Sequence, residues 1–177
     1  EVEFYSFTLS ARVLEYQTAI IDGDFDRAES LLVDIPTDHL SKIAIFLESA
    51  GLPDKAFSIS SDLEHKFELA LSMNRVDLAK EVVQSFHSSD PKDPVVQGKW
   101  KQLGDLALKS FKFLTAEECY WNGLDFSSLL LIYSASSDLI SLQRLAQAAL
   151  QDFQYNIAFS AAFLAKNHLL CQEILLK

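Results

Sequence analysis

The chain has 177 residues, 49 % apolar and 23 % charged, with a formal net charge of −10. That apolar share lets burial offset chain entropy, which excludes a disordered chain. The acidic balance and the lack of any Lys/Arg cluster argue against nucleic acid and against docking on an anionic membrane. With only 5 Gly and 4 Pro, the composition favours helices over a turn-rich β fold.

In chain order, residues 2–8 (Val-Glu-Phe-Tyr-Ser-Phe-Thr) come first. They are aromatic and β-prone, without helical period. Residues 1–9 therefore read as a strand or linker left over from a preceding domain, with a helical domain over 10–177. Helical spacing then predicts about twelve short helices, near 10–21, 24–33, 37–49, 53–59, 62–72, 75–87, 98–110, 112–121, 124–134, 138–150, 153–164 and 168–176. Gly23, Pro36, Gly51, Gly123, Asp138 and Asn167 punctuate them. Ser61-Asp62-Leu63-Glu64 fits a capping box with Ser61 as the cap. Thr37 can cap the helix after Pro36, and Pro53 suits a first turn. Residues 88–98 read as a polar loop closed by two prolines, each disfavouring helix at the residue before it.

The connections are short, so neighbouring helices must pair antiparallel as hairpins. A unit recurs in the second helix of each: Ala28, Ala56, Ala79, Ala116, Leu142 and Cys171, each followed by an apolar pair three and four places on, except Ala56, which is followed by Ile59 alone. The intervals are 28, 23, 37, 26 and 29 residues, the long one containing the 88–98 insertion. Such a period marks stacked pairs that cannot bury their apolar faces alone. The expected fold is all-α, an α-solenoid of degenerate tetratricopeptide-like hairpins; a compact six-hairpin globule is the alternative.

The chemistry is sparse. His39, His65, His87 and His168 lack metal-ligand spacing and read as surface or helix-end residues. Glu117-Glu118 and the carboxylates from Asp22 to Asp26 read as solvated faces or favourable charge at helix N-termini. There is no phosphate loop and no nucleophile elbow. Cys119 and Cys171 read as small buried hydrophobes, pointing to a reducing compartment. Phe46, Phe67, Phe86, Phe111 and Phe159 sit at core spacing, although a solenoid should leave some aromatics exposed for binding. No catalytic, cofactor or metal residue is expected. No apolar run approaches the ~20 residues of a membrane span. Starting at Glu1 and stopping within Ile174-Leu175-Leu176, the chain looks like a piece of a longer protein.

Several runs carry a resemblance. Val13-Leu14-Glu15-Tyr16-Gln17-Thr18-Ala19, Glu64-His65-Lys66-Phe67-Glu68-Leu69-Ala70-Leu71, Lys99-Trp100-Lys101-Gln102-Leu103-Gly104-Asp105-Leu106-Ala107, Ala116-Glu117-Glu118-Cys119, Leu129-Leu130-Leu131 and Asn156-Ile157-Ala158-Phe159 resemble, in order and spacing, the helical domain of the coatomer beta-prime family. The 88–98 loop looks longer than the family's connection. The resemblance implies a non-enzymatic scaffold in the vesicle coat of Golgi-to-endoplasmic-reticulum and intra-Golgi transport. It implies binding to the alpha-subunit helical domain and other coatomer subunits, a cytoplasmic location peripheral to Golgi and coated-vesicle membranes, and membrane contact only through the assembled coat. A tetratricopeptide-like adaptor holding a peptide or helical segment of another partner is the alternative function.

Overall fold

The computed structural model describes residues 11–86 and 93–176. The strand expected at residues 2–8 lies outside them, as do His87 and Pro91. The chain divides after Ser85 into two compact units, Glu1–Ser85 and Phe86–Lys177.

The first unit holds α1 (Ala11–Ile21), α2 (Phe25–Leu32), a 3₁₀ turn (Thr37–His39), α3 (Leu40–Ser49), α4 (Pro53–Ile59), α5 (Leu63–Ser72) and α6 (Val76–Ser85). The second holds α7 (Pro94–Lys109), α8 (Phe113–Asn122), α9 (Phe126–Ser136), α10 (Leu139–Gln151), α11 (Tyr155–Leu164) and α12 (His168–Leu175). No strand occurs among the described residues. Within each unit the substantial packing joins first and second neighbours along the chain, such as α7 with α8 and α9 with α11. That is the contact pattern of a solenoid rather than of a globule.

One turn joins most of these helices. In each case a residue with positive φ follows the helix: Gly23, Gly51, Asn74, Phe111, Leu124, Ser137, Phe153 and Lys166. Its amide bonds back three residues and the next amide five, as in Phe111 to Leu108 and Lys112 to Ala107. This is the Schellman pattern, which closes the last free carbonyls of a helix and reverses the chain at once. In four of the eight the next residue is Asp or Asn, so the turn can also cap the following helix. Asp24, Asp125, Asp138 and Asn167 do so with their side chains.

The recurring positions read from the sequence form the cores. Ala28, Ala56, Ala79, Ala116, Leu142 and Cys171 are all buried. In the first unit Ala28 and Ala56 join Tyr16, Ile43, Leu47 and Leu69. In the second, the small residues let helices approach closely. A Cβ at Gly104 would meet the Tyr120 ring at 2.7 Å, so α7 and α8 pack as they do only with glycine there. Gly123 has an ordinary negative φ of −82°. A Cβ there would meet Trp100 Cβ at 3.1 Å and the Gln97 carbonyl at 3.2 Å, so this glycine serves packing and the left-handed position falls to Leu124.

Three local expectations need correction. Asp62, not Ser61, caps α5, its Oδ1 accepting from the Glu64 amide at 3.0 Å; the helix starts one residue later than the box requires. Thr37 caps nothing: a 3₁₀ turn begins at Thr37, so the cap position falls on extended Pro36. The 88–98 loop ends early, because Asp93 caps α7 through the Val95 amide and Pro94 takes the first turn. The residue before a proline is barred from helix, but a cap need not be helical, and Gly98 consequently lies inside α7. Pro53 does occupy the first turn of α4.

Candidate interaction surface

The side chains singled out for chemistry are scattered. His39 lies in the 3₁₀ turn and His168 opens α12. His65 is more structural than its surface reading allowed: Nε2 sits 3.2 Å from Glu48 Oε2 and Nδ1 3.2 Å from Ser60 Oγ, tying α5 to α3. Cys119 and Cys171 are buried thiols with no disulfide between them, as read from the sequence. Among the described residues no three His, Cys, Asp or Glu side chains converge as metal ligands, and no helix is long and apolar enough to cross a membrane.

Glu117 corrects the solvated-face reading. It accepts from the Tyr133 hydroxyl, which in turn accepts from Trp121 Nε1 at 2.9 Å. Phe126 stands edge-on to the Trp121 ring and Arg144 lies 4.6 Å over it. A second tie crosses α7, α8 and α9. The Tyr120 hydroxyl donates to Asp105 at 2.7 Å, and Lys101 pairs with Asp125 at 2.9 Å. Burial and the Asp105 carboxylate push the Tyr120 phenol up. Burial and Glu117 push Tyr133 up to about 12. Burial alone would raise Asp125, but the Lys101 ammonium and the Ser128 amide and hydroxyl hold it below the usual carboxylate range. These groups fix helices; they do not converge on an open cleft, as acid–base chemistry would need.

What the structure exposes is apolar. Phe67 is buried, and Phe46, Phe86 and Phe159 are half-buried. Phe111, expected in the core, is 80 % exposed. It occupies the left-handed position of the α7–α8 turn (φ 58°) rather than a helix face, which periodicity alone could not reveal. Its ring stands edge-on to Phe113, centroids 6.3 Å apart, and Phe153 with Tyr155 repeats the pair at the α10–α11 turn. Phe113 also lines a groove of about 490 Å³ with Leu108, Leu131, Ile132, Ala135 and Ser136. In the first unit a smaller hollow of about 170 Å³ is walled by Tyr16, Ile20, Phe25, Glu29, Lys55 and Ile59. The Lys55 ammonium sits 3.8 Å over the Phe25 ring, and burial, then Glu29, pushes the Tyr16 phenol up.

Comparison with known proteins agrees with this scaffold-like surface. The family model described as COPA/B TPR domain matches residues 16–177. Coatomer subunit beta'-3 of Arabidopsis thaliana is 37 % identical over 163 residues, 92 % of this chain and 17 % of the relative. Coatomer subunit beta' of Rattus norvegicus and of Homo sapiens are each 35 % identical over 177 residues, all of this chain and 19 % of each relative. The chain thus spans less than a fifth of the length of the curated relatives it matches. With its stacked hairpins, its buried repeat positions and this match over nearly the whole chain, the protein belongs to the COPA/B TPR domain family.

Proposed function

We propose that the chain is a structural, protein-binding segment of a coatomer-type vesicle coat rather than an enzyme, and that its partner is the helical domain of the coatomer alpha subunit. The observation that carries this reading is the second unit. A rigid helical stack there leaves Phe111, Leu114, Leu131, Ile140 and Phe153 largely in solvent, far more apolar surface than folding requires. Exposed apolar surface of this kind marks interfaces. The similarity to coatomer beta' subunits supports the coat assignment. In this reading residues 1–9 are a remnant of a preceding domain and 10–177 the solenoid. The chain works in the cytoplasm, on Golgi and coated-vesicle membranes only through the assembled coat.

Stable protein interfaces bury on the order of 1,200–2,000 Å² in total. Residues 1–177 mixed with the alpha-subunit helical region of the same organism should therefore co-elute on size exclusion. Two folded pieces that elute separately at a concentration on the order of 10 µM, where a specific contact of that size should hold, would defeat the partner assignment.

A further inference from the structure

The hollow of the first unit holds an open polar group. Three helices wall it, with Tyr16 and Ile20 from α1, Phe25 and Glu29 from α2, and Lys55 and Ile59 from α4. Tyr16 is only 2 % exposed. Among the described residues its hydroxyl has no hydrogen-bond partner, yet no fully buried side-chain oxygen or nitrogen lacks one. The hydroxyl is therefore where this side chain still reaches solvent, and the surface that Tyr16 lines is the hollow. Polar groups on side chains this deeply buried are normally bonded within the fold.

The walls carry one charge of each sign. Glu29 and Lys55 both line the hollow, and its lining has no other charged side chain. They form no ion pair with each other or with any other described residue. The Lys55 ammonium instead sits 3.8 Å over the Phe25 ring, a contact that positions the head group without neutralising it. Burial, then the Glu29 carboxylate, raises the Tyr16 phenol, so the hydroxyl stays a donor. Charges on the same helices are engaged elsewhere: Asp24 caps α2 through the Arg27 amide, and Asp54 pairs with Arg75 at 3.5 Å.

These groups select an occupant. A net charge entering the hollow gains from one wall charge and loses to the other. A neutral dipole gains from both. A primary carboxamide is such a dipole: its carbonyl accepts from the Tyr16 hydroxyl and the Lys55 ammonium, and its NH2 donates to the Glu29 carboxylate. The volume of about 170 Å³ is well below the roughly 300–1,000 Å³ of small-molecule sites. The hollow thus admits a group of side-chain size, its methylenes against Ile20 and Ile59.

We propose that this hollow seats the carboxamide side chain, glutamine or asparagine, of a protein partner, held by Tyr16, Glu29 and Lys55. The proposal rests on the reading of the chain as a protein-binding domain. It deepens that reading by adding one selective contact in the first unit to the broad apolar surface of the second.

The test uses residues 1–177 with labelled isoleucine methyl groups, NMR, and three probes of one carbon skeleton: butyramide, butyrate and butylamine. Butyramide should shift the Ile20 and Ile59 methyls but not that of Ile132 in the second unit. Its Kd should be on the order of 10 mM, as a ligand of so few atoms allows. Butyrate and butylamine should each bind at least about threefold more weakly. Tyr16→Phe keeps the ring and removes only the open hydroxyl, so the fold is retained while butyramide affinity falls about fivefold. Lys55→Met leaves Glu29 as the one charge in the lining, so butylamine should become the tightest of the three. A capped tripeptide with a central Gln should give the same methyl shifts as butyramide, and its Leu counterpart should bind at least about fivefold more weakly. Equal affinity for the three probes, butyramide binding unchanged by Tyr16→Phe, or no saturable shift up to about 100 mM overturns the proposal. Butyramide binding without binding of the Gln tripeptide also overturns it, assigning the hollow to a free small amide. Failure of the alpha-subunit co-elution alongside Gln binding would reject that partner and keep the hollow; co-elution without Gln binding would do the reverse.

Discussion

The two units make the same reversal with different residues. The first uses Gly23, Gly51 and Asn74 at its left-handed positions, the residue types that tolerate positive φ best. The second uses Phe111, Leu124, Ser137, Phe153 and Lys166, and no glycine at all. The backbone bonds are the same in both. The turn is thus set by the need to close a helix end and pack the next helix, and the core of the second unit offsets the strain its sequence introduces. Charge and exposure divide at the same place. Residues 1–85 hold 16 acidic and 7 basic side chains, and residues 86–177 hold 9 and 8. Of the large apolar side chains exposed among the described residues, 6 belong to the first unit and 14 to the second. The first unit gains solubility from its charge; the second carries the surface that a partner would cover.

The sharpest way to break this comparison is at glycine. Gly104→Val forces side-chain atoms into the Tyr120 ring, which already lies 2.7 Å from a Cβ at that site. Overpacking of this kind costs about 1–3 kcal/mol or more, and should appear as lost hydrogen-exchange protection in α7 and α8. Gly51→Ala has φ of +78° and nothing within 4 Å of the added carbon, so it should cost only about 1 kcal/mol, from backbone strain alone. Equal costs would mean that glycine serves one purpose in both units.

Acidity separates the units by sign. Asp125 is depressed in the folded state, so its contribution is complete above the unfolded carboxylate pKa of ~4 and is lost as pH falls through the lower folded value. Lys101 is raised, chiefly by its hydrogen bond to Asp125, so its share is complete below ~10.5 and lost at higher pH. Tyr133, pushed up to about 12 by burial and Glu117, likewise favours folding below the ordinary phenol value and ceases to as pH rises through its folded one. Protection of α9 amides should therefore fall below pH 4, whereas the first unit, crowded with carboxylates, should gain from relief of self-repulsion on the way down. Asp125→Asn still caps α9 but removes the charge. It should cost about 1 kcal/mol at pH 7, and the difference should shrink below pH ~4 and vanish once pH has fallen through the lowered folded value of Asp125. A difference that persists there would assign the effect to the cap.

The repeat was legible because burial follows period. Ala28, Ala56, Ala79 and Ala116 sit in the core in the register that their spacing predicts, and most helix ends fall within a residue or two of the expected ones, the starts of α3 and α7 excepted. What escaped was set in three dimensions. Phe111 has core spacing, but the chain turns there and swings it out. Glu117 looks like one of a solvated pair until α9 brings the Tyr133 hydroxyl over it. Gly123 reads as a turn glycine, yet its neighbour Leu124 makes the turn because α7 needs the space. Schellman geometry without glycine leaves no strong residue signal, so the groove that such a turn frames could not be drawn from the sequence.

The smallest expected effect isolates what the strained turns are for. Replacing a left-handed residue by glycine removes the Cβ conflict, worth roughly 1 kcal/mol, and returns part of that as extra unfolded-state entropy. Ser137→Gly, with φ of 55°, should therefore stabilise the second unit by a few tenths to about 1 kcal/mol. Phe153→Gly should gain less, because it also removes the edge contact with Tyr155, worth about 0.5–1.5 kcal/mol where well buried and less at this exposed site. Asn74→Gly in the first unit should be nearly neutral, since Asn already tolerates the conformation. Chemical denaturation of the three variants orders them as Ser137, Phe153, Asn74. If Phe153→Gly instead destabilised by more than about 1 kcal/mol, the exposed aromatic pair would be holding the turn together, and the contrast between a first unit built for folding and a second built partly for contact would lose its main support.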